Sequence, residues 1–410
     1  MNERAGTSEA SQARPSRGAL PPTVWLLGFA SLLNDASSEA VFPLLGVFLT
    51  TLGAPLPFVG LALGLADGLA VVVKVLVGRW SDRLRRRPLV IGGYLVAALG
   101  RGLIALAMHP WHVAFARSLD RMGKAIRSGA RDAVLVDAVA STERGRAFGF
   151  TQALDHVGAA VGPLIASVCL AVGWSMRQTF GLAAAIGVLA PLLLGWRLSE
   201  APRAPTVKAT PTDRAPPEAP GSRTPLRVYL MAVGVFAVAN SSDAFILIRA
   251  GQLGWTPAML PLLWLGHHLV KALTTAVGGG LSDRMPRFIL IGCGWLAYAG
   301  TYVGFSLATK AWHIAALMGA YAFYHGFAEG PERALVSDLA GPRGRGAAFG
   351  LYHGVVGGAA LPAGLLMGAV WQRWGVAAAF RMEGALAVLA AIGLGALAWR
   401  GRLRPVGAGR

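Results

Sequence analysis

Twelve long apolar segments constrain this chain more than any other feature of its sequence. A helix that spans a bilayer needs about 20 mostly apolar residues, and each segment reaches that length. Strands of a membrane barrel are shorter and alternate apolar with polar positions. The pattern therefore predicts an all-α integral membrane protein with twelve transmembrane helices, over residues 24–50, 56–78, 88–108, 112–137, 147–172, 176–197, 226–250, 257–280, 288–308, 312–338, 347–371 and 376–399.

The composition agrees with a chain that lies in lipid. Hydrophobic residues make up 54% and charged residues 14%, whereas about a quarter of the residues in soluble domains are charged. This balance excludes an intrinsically disordered protein and an ordinary cytosolic enzyme. The two cysteines, Cys169 and Cys293, lie inside apolar segments, so the sequence predicts neither a disulfide framework nor a metal site.

The net charge of +18 indicates orientation in a membrane rather than binding to nucleic acid, because the charge lies in short connections between segments. One set of connections is rich in arginine, whereas the other set holds only Arg177, Lys310 and Arg373. The positive-inside rule then predicts that both termini lie at the cytoplasmic face of an inner, plasma-type membrane. The arginine-rich set comprises Arg79, Arg83, Arg85, Arg86, Arg87, Arg144, Arg146, Arg284, Arg287, Arg343 and Arg345.

Five regions follow from this division. The first 23 residues have no apolar core, so they predict a cytoplasmic tail rather than a cleavable signal peptide. Seven prolines between residues 199 and 225 predict an exposed linker. The predicted regions are an N-terminal tail 1–23, a six-helix half 24–198, a cytoplasmic Pro-rich linker 199–225, a second six-helix half 226–399 and a cytoplasmic tail 400–410.

An internal repeat supports the two halves. A shift of 201 residues aligns Asp82-Arg83 with Asp283-Arg284, and the same shift aligns Asp137 with Asp338. It also aligns Trp111-His112 with Trp312-His313, with no gap between these matches. Two parallel half-repeats with a binding site between them are a transporter architecture.

Three motifs resemble those of the major facilitator superfamily. The string from Gly78 to Arg87 resembles the loop motif G-x-x-x-D-R-x-G-R-R, with Arg85 in place of a glycine, and a degenerate copy runs from Gly279 to Arg287. Residues 117–123 resemble the fourth-helix motif R-x-x-Q-G-x-G, with departures at two positions. The fifth segment contains G-x-x-x-G-P as Gly158, Gly162 and Pro163, a motif associated with antiporters in that family.

The resemblance implies a twelve-helix transporter that works by alternating access. It implies that the two loop motifs form a cytoplasmic latch that is made and broken in each cycle. It also implies that the fifth-helix glycines and proline serve packing and rocking of helices, because glycine allows close approach and proline bends a helix. The latch residues would be Gly78, Asp82, Arg83, Asp283 and Arg284.

Acidic residues in the first segment are the first candidates for proton coupling. Asp35 and Glu39 are spaced i, i+4 and share a helix face, beside Asn34 and Ser38. A charged group at mid-membrane costs at least about 2.5 kcal/mol on insertion scales, so both carboxylates should line a cavity or pair with cations. Asp155 of the fifth segment is the third candidate. A permanent structural ion pair is the alternative for each of them.

The fourth segment carries a stripe of charge on one side of the helix. Such a stripe cannot face lipid, so its cations should meet Asp35, Glu39, Asp67 or Asp155 of other helices. Members nearer the arginine-rich end predict an ion-pair network, and members nearer the other end predict a place in the substrate cavity. The first group is Lys124, Arg127 and Arg131, and the second is Arg117, Asp120 and Arg121.

The second half offers polar groups that could bind substrate or relay protons. Asn240 and Asp243 share a face of the seventh segment, and histidine titrates near neutral pH. The alternative for each histidine is a buried, satisfied side chain. The other candidates are His267, His268 and Lys271 in the eighth segment and His325 and Glu329 in the tenth. Their spacing predicts no metal site, and no Walker motif or cofactor motif occurs.

These features favour a secondary active transporter that exports a small organic molecule, a drug or a metabolite, in exchange for protons. The prediction of export rests on the fifth-segment motif, which is associated with antiporters. Import of an organic anion by proton symport is the alternative that the cations of the fourth and eighth segments favour. A non-transporting sensor or assembly partner is the alternative from another class. The predicted partners are the substrate, protons and the lipid bilayer, with a functional monomer and no enzymatic activity.

Overall fold

The computed structural model describes residues 20–81, 85–140, 143–199, 224–282 and 284–401, and within them the regular structure is helical. Thirteen α-helices and one π-helical turn follow one another along the chain. They are α1 Pro22–Thr51, α2 Leu56–Ser81, α3 Arg86–Ala105, α4 Pro110–Asp137, α5 Arg144–Ala171, α6 Met176–Arg197, α7 Thr224–Ala239, α8 Ala244–Gln252, α9 Leu260–Ser282, α10 Arg287–Leu307, α11 Ala311–Tyr324, the π-turn His325–Glu329, α12 Gly330–Trp374 and α13 Val376–Trp399.

The helices form the twelve predicted crossings, although three boundaries differ from the prediction. The seventh segment is two helices, α7 and α8, with a break at 240–243. The tenth segment is α11, the π-turn and the first turns of α12. The predicted connection between the tenth and eleventh segments has a helical backbone. The helix α12 continues through this connection and is 45 residues long in total. The apolar segments end at residue 338 and begin again at 347, but the helical backbone does not stop between them.

Three crossings are more polar than the other nine. Nine helical spans in the described residues are long and apolar enough to cross a membrane. The remaining three are α4, α9 and the crossing formed by residues 311–338. These hold the charged stripe, the paired histidines and the His325–Glu329 turn, so the polar crossings are the ones that supply the candidate site.

The repeat of 201 residues is visible in the tertiary contacts. Arg86 forms an ion pair with Asp137 between α3 and α4, and Arg287 forms one with Asp338 between α10 and α12. These two pairs occupy equivalent positions of the two halves. They lie at the end of the bundle that carries the arginine-rich connections, which we call the basic end. The structure therefore confirms two pseudo-symmetric halves.

Glycines allow close helix contacts inside the first half. A Cβ atom at Gly158 would lie 2.4 Å from the carbonyl oxygen of Leu32, and one at Gly162 would lie 2.2 Å from that of Ala36. The fifth-helix motif therefore packs α5 against α1 within one half, rather than forming the contact between halves. Pro163 is buried inside α5, and the helix continues through it without interruption.

The two halves meet at the end opposite the basic end. Cβ atoms at Gly60 and Gly64 of α2 would lie 1.9 Å and 2.5 Å from carbonyl oxygens of Gly364 and Ala360 in α12. On the other side, the Ser167 hydroxyl donates to the carbonyl of Ala258 at 2.6 Å. These contacts close the bundle at that end and leave a cavity between the halves toward the basic end.

Candidate functional site

A central cavity of about 510 Å³ lies between the two halves. That volume suits a small organic molecule, since ligand sites commonly measure about 300–1,000 Å³. The cavity is bounded by α2 and α4 on one side and by the α7–α8 break, the π-turn and α12 on the other. Its polar lining includes Asp67, Arg121, Asn240, Asp243, Tyr321, Tyr324, His325, Glu329, Glu332, Arg333 and Tyr352.

Two smaller branches adjoin the central cavity and share Arg121 with it. A branch of about 420 Å³ extends along α2, α4 and α12 to Lys74, Lys124 and Phe349. A branch of about 190 Å³ reaches toward α1 and α9 and is lined by Glu39, Trp264, His267, His268 and Lys271. Arg121 therefore lies where the three spaces join.

The α4 stripe pairs with carboxylates of three other helices. Arg121 Nε lies 3.0 Å from Asp67 of α2, Arg127 lies 3.8 Å from Asp35 of α1, and Arg131 lies 3.5 Å from Asp155 of α5. The first pair is in the cavity wall, whereas Arg127 is nearly fully buried. The prediction that these cations meet carboxylates of other helices is confirmed. Lys124 differs, because it is exposed to the branch between α2 and α12.

Arg117 and Asp120 lie in the interior of the first half, away from the cavity where the sequence suggested them. Arg117 Nη1 contacts Asp120 at 2.7 Å, and Arg101 of α3 contacts the same carboxylate at 3.8 Å. Arg101 also donates to the Asn34 carbonyl at 3.0 Å and to the Asn34 side chain at 2.9 Å. All four side chains are buried. The network holds α1, α3 and α4 together.

Asp35 and Glu39 share a face of α1, as predicted, but they contact different halves. Asp35 accepts a hydrogen bond from Asn34 Nδ2 at 2.9 Å and faces Arg127. Glu39 accepts one from Trp264 Nε1 of α9 at 2.9 Å, so its partner belongs to the second half. Ser38 is partly buried and is not among the described residues that line the three cavities.

The second half brings three of the predicted residues together. Lys271 Nζ lies 3.0 Å from Glu329 and 3.1 Å from His325 Nδ1, and that ring nitrogen lies 2.7 Å from Glu329. The π-turn carries His325 and Glu329, and π-turns inside helices are common at functional sites. His267 contacts the Met318 carbonyl at 2.8 Å, as expected for a satisfied histidine. His268 lies beside it in the smallest branch.

The break between α7 and α8 is held by tyrosines. Asn240 Nδ2 donates to the Tyr324 hydroxyl at 3.0 Å, and the Tyr321 hydroxyl donates to Asp243 at 2.8 Å. A third tyrosine, Tyr298, donates to the Ala239 carbonyl at 2.7 Å, a group that the break leaves without a helical partner. The two predicted residues, Asn240 and Asp243, thus lie at one irregular turn in the cavity wall.

Glu332 shares a face of the tenth segment with His325 and Glu329, and it accepts hydrogen bonds from Trp295 at 2.8 Å and from Tyr352 at 2.7 Å. Other residues of the site were missed by sequence reasoning. Glu383 of α13 is fully buried, and Tyr298 lies 3.5 Å from it. Arg101 is the single charge of its apolar segment, and Glu383 is one of two charges, with Arg381, in its own. A charge inside an apolar segment is the signal that could have identified them. Tyrosines and tryptophans in apolar segments give no comparable signal.

The latch motif is described only in part. Gly78 lies in the last turns of α2, and Arg284 lies in an exposed turn after α9. Asp82, Arg83 and Asp283 lie outside the described residues. Nearby, Arg87 donates to the Gly195 carbonyl at 2.8 Å, so that basic side chain joins α3 to α6.

No group of three or more His, Cys, Asp or Glu side chains in the described ranges could hold a metal ion. The cavity instead contains separate acid–base pairs on opposite walls. Groups of this kind can bind a charged or polar molecule and exchange protons.

Comparison with known proteins identifies the family. Residues 27–248 match the Major Facilitator Superfamily. An uncharacterized MFS-type transporter from Methanocaldococcus jannaschii is 30% identical over 364 residues, which cover 86% of this chain and 89% of that relative. The chain belongs to the major facilitator superfamily. It is accordingly a multi-pass membrane transporter and not an enzyme.

Two further proteins are similar to this superfamily member, one over part of the chain and one over most of it. Multidrug resistance protein MdtH of Cronobacter sakazakii is 33% identical over 169 residues, which cover 39% of this chain and 40% of that protein. The solved structure of a bacterial homolog of the human lysosomal transporter Spinster, in an inward-facing and occupied conformation, has a TM-score of 0.72 at 16% identity. It covers 94% of this chain and 98% of that one, and it shows a common fold.

Proposed function

We propose that this protein exports a small organic molecule in exchange for protons, by alternating access of the central cavity. The observation that carries the proposal is the cavity of about 510 Å³ between two halves that pack closely at the end opposite the basic end. Rocking the halves about such a site would expose it to each side of the membrane in turn. The partial similarity to a multidrug resistance protein supports export. The family assignment supports transport over a non-transporting sensor.

The orientation and organisation of the chain are part of the same proposal. In this proposal the basic end lies at the cytoplasmic face, so the side of the cavity away from the close contact between the halves would face the cytoplasm. The halves are residues 24–198 and 226–399, joined by the cytoplasmic linker 199–225, and the protein works as a monomer. Gly78, Asp82 and Arg83, with Asp283 and Arg284, form the cytoplasmic latch.

Proton coupling is assigned to Asp35 and Glu39, with Asp155 as a third member. Glu39 receives its hydrogen bond from Trp264 in the second half, so a movement of the halves would remove that partner. Asp35 lies at 3.8 Å from Arg127, a separation that a small helix movement could close or widen. A carboxyl group whose partners change between states also changes its affinity for a proton, which is the requirement for coupling.

The test is transport by purified protein in proteoliposomes with an imposed pH gradient. Asp35→Asn and Glu39→Gln should each abolish gradient-driven accumulation, while at least one of them retains counterflow exchange of substrate. Glu143→Gln, which removes a carboxylate from the connection before α5, is the control and should transport like the wild type. Accumulation by both variants under a pH gradient would contradict the coupling assignment.

The same assay determines the direction of transport. Exchange with protons accumulates substrate on the side with the higher proton concentration. Proton symport, which is how an organic anion would be imported, accumulates substrate on the opposite side. Reversing the imposed gradient separates the two mechanisms, and accumulation opposite to the proton-rich side would overturn export.

A further inference from the structure

The acidic side chains of the cavity are all satisfied by partners within the protein. Asp67 pairs with Arg121, and Glu329 pairs with Lys271. The other three accept hydrogen bonds from aromatic donors: Glu39 from Trp264, Asp243 from Tyr321, and Glu332 from Trp295 and Tyr352. Among the described residues that line the cavity, each carboxylate therefore has a partner.

Three cations in the cavity walls stand in contrast to these acids. Lys74 of α2, Lys124 of α4 and Arg333 of α12 are exposed to the cavity. Within the described ranges, none of them has a carboxylate oxygen within 4.0 Å. A charge held near the middle of a membrane is costly unless it is paired or hydrated. The imbalance favours an anion as the molecule that enters.

Lys124 has the most informative position of the three. It lies on the α4 face that also carries Arg121, where the branches of the cavity join. The 201-residue offset places His325 at the equivalent position of the second half, and His325 is hydrogen-bonded to Glu329. The two halves thus present equivalent groups to one cavity, but only the second half supplies a carboxylate for its group.

The walls next to Lys124 are mainly apolar. The branch of about 420 Å³ runs between α2 and α12 past Ala70, Val71, Val75 and Phe349. The central cavity adds Phe236 and other aromatic side chains at its far wall. A molecule with one acidic group and an apolar body fits these spaces, because Lys74, Lys124 and Arg333 have no carboxylate partner among the described residues and the branch beside Lys124 is lined mainly by apolar side chains.

We propose that the transported molecule is an amphiphilic organic anion. Its acidic group binds at Lys124, within the positive field of Lys74 and Arg333, and its apolar body lies between α2 and α12. This assignment names the substrate class of the transporter proposed above and rests on it. A water-soluble aromatic carboxylate and a single-chain lipid with an anionic head share this chemistry, and the test separates them.

The experiment measures equilibrium binding and thermal unfolding of the purified full chain in nanodiscs. The soluble probes are 1-naphthoate, neutral 1-naphthamide and cationic 1-naphthylmethylammonium. The lipid probes are lauroyl-lysophosphatidylglycerol, which is anionic, and zwitterionic lauroyl-lysophosphatidylcholine. In at least one set the anion should bind at least tenfold more tightly than its uncharged or zwitterionic partner and should raise the melting temperature. The set that does so identifies the source of the anion.

Variants test the role of Lys124 directly. Lys124→Gln should weaken binding of the preferred anion about tenfold and leave binding of its partner probe unchanged, whereas Lys124→Arg should retain the preference. Lys310→Gln, an exposed lysine at the opposite end of the bundle, is the matched control and should bind like the wild type. If Lys124→Gln does not fold, Lys74→Gln and Arg333→Gln should each reduce the same preference several-fold.

Three results would overturn the assignment. They are equal binding of anion and partner probe in both sets, tightest binding of the cation, and an unchanged preference in the folded variants. Absence of binding by every anion would overturn it as well. These measurements need no gradient, so a failure of proton-driven export would leave them standing. Conversely, proton-driven export of a cation would agree with the proposed transport function and would contradict the proposal that the substrate is an anion.

Discussion

The two halves share a scaffold but differ in what fills it. Equivalent ion pairs, Arg86 with Asp137 and Arg287 with Asp338, fasten both halves at the basic end. Away from these ion pairs, the interior of the first half holds charged side chains at positions where the second half holds aromatic ones. Arg101 and Asp120 face each other across α3 and α4, and the residues 201 positions later are Tyr302 and Tyr321, whose rings lie 6.0 Å apart.

The difference teaches that one fold tolerates two kinds of polar interior in lipid. In the first half, each buried charge depends on another charge, and Asp120 serves both Arg101 and Arg117. In the second half, tyrosine rings stack, as Tyr298 and Tyr302 do at 4.0 Å, and the hydroxyls of Tyr298 and Tyr321 donate to a backbone carbonyl and to Asp243. The charged interior should therefore be the more sensitive to loss of a single partner.

The largest expected effect comes from Asp120→Asn. The substitution keeps the shape of the side chain but leaves two buried arginines without their carboxylate, which should lower the free energy of unfolding by about 3–5 kcal/mol. The equivalent change in the second half, Tyr321→Phe, removes one hydrogen bond to the Asp243 carboxylate and should cost about 1.5–3 kcal/mol. Unfolding of both variants in nanodiscs by denaturant gives the two values.

A triple substitution sharpens this comparison. Arg101→Leu, Arg117→Leu and Asp120→Leu together remove all three charges of the network and should recover part of the loss, because replacing a buried charge network by apolar groups is often neutral. Equal losses for Asp120→Asn and Tyr321→Phe would show that the two interiors are energetically alike, against our expectation.

The sequence predicted the features that depend on chain-wide patterns. Segment length gave the twelve crossings, and the 201-residue offset gave the halves. The cost of a charge in lipid led to the pairing of Arg127 and Arg131 with Asp35 and Asp155. Each of these follows from one rule that applies along the whole chain.

Features that depend on a local competition were not predicted. At the break at 240–243, Tyr298 donates to the Ala239 carbonyl, which a continuous helix would pair with a backbone N–H, and Tyr324 accepts from the Asn240 side chain. The side chains of the π-turn at His325–Glu329 contact Lys271, which lies 54 residues earlier than His325, so the partner is not visible in the local sequence. The spacing of charges on α4 placed Arg117 in the cavity, because periodicity shows a shared face but not which neighbour covers each part of it.

A second, smaller effect is expected where the halves meet. Gly60→Ala would place a Cβ atom 1.9 Å from the Gly364 carbonyl, so the helices must separate. Overpacking of this kind costs about 1–3 kcal/mol, which corresponds to a shift of roughly 5- to 150-fold away from the state closed at that end. Transport in proteoliposomes should fall at least fivefold. Gly181→Ala, at a site with open space around it, is the control and should transport like the wild type.

Labelling gives an independent measurement of the same shift. The labelling background has Cys169 and Cys293 replaced by alanine and Ser242 of the cavity wall replaced by cysteine. An impermeant maleimide added at the end opposite the basic end should react faster with this cysteine when Gly60→Ala is present than when it is absent. Unchanged labelling and unchanged transport would mean that α2 and α12 do not form the closure between halves.

The smallest effect is expected for the paired scaffold at the basic end, where the halves should behave alike. The side chains of Arg86 and Asp137 are 31% and 43% exposed, and those of Arg287 and Asp338 are 29% and 36% exposed. Solvent and salt screen such pairs, so Arg86→Gln and Arg287→Gln should each lower the free energy of unfolding by less than about 1 kcal/mol. Arg287 also donates to the Ala334 carbonyl at 3.0 Å, so its loss should be slightly the larger. Double-mutant cycles with Asp137→Asn and Asp338→Asn should give coupling energies that agree within about 0.5 kcal/mol and shrink in high salt. A coupling energy of several kcal/mol in one half alone would mean that the scaffold, and not only its filling, differs between the halves.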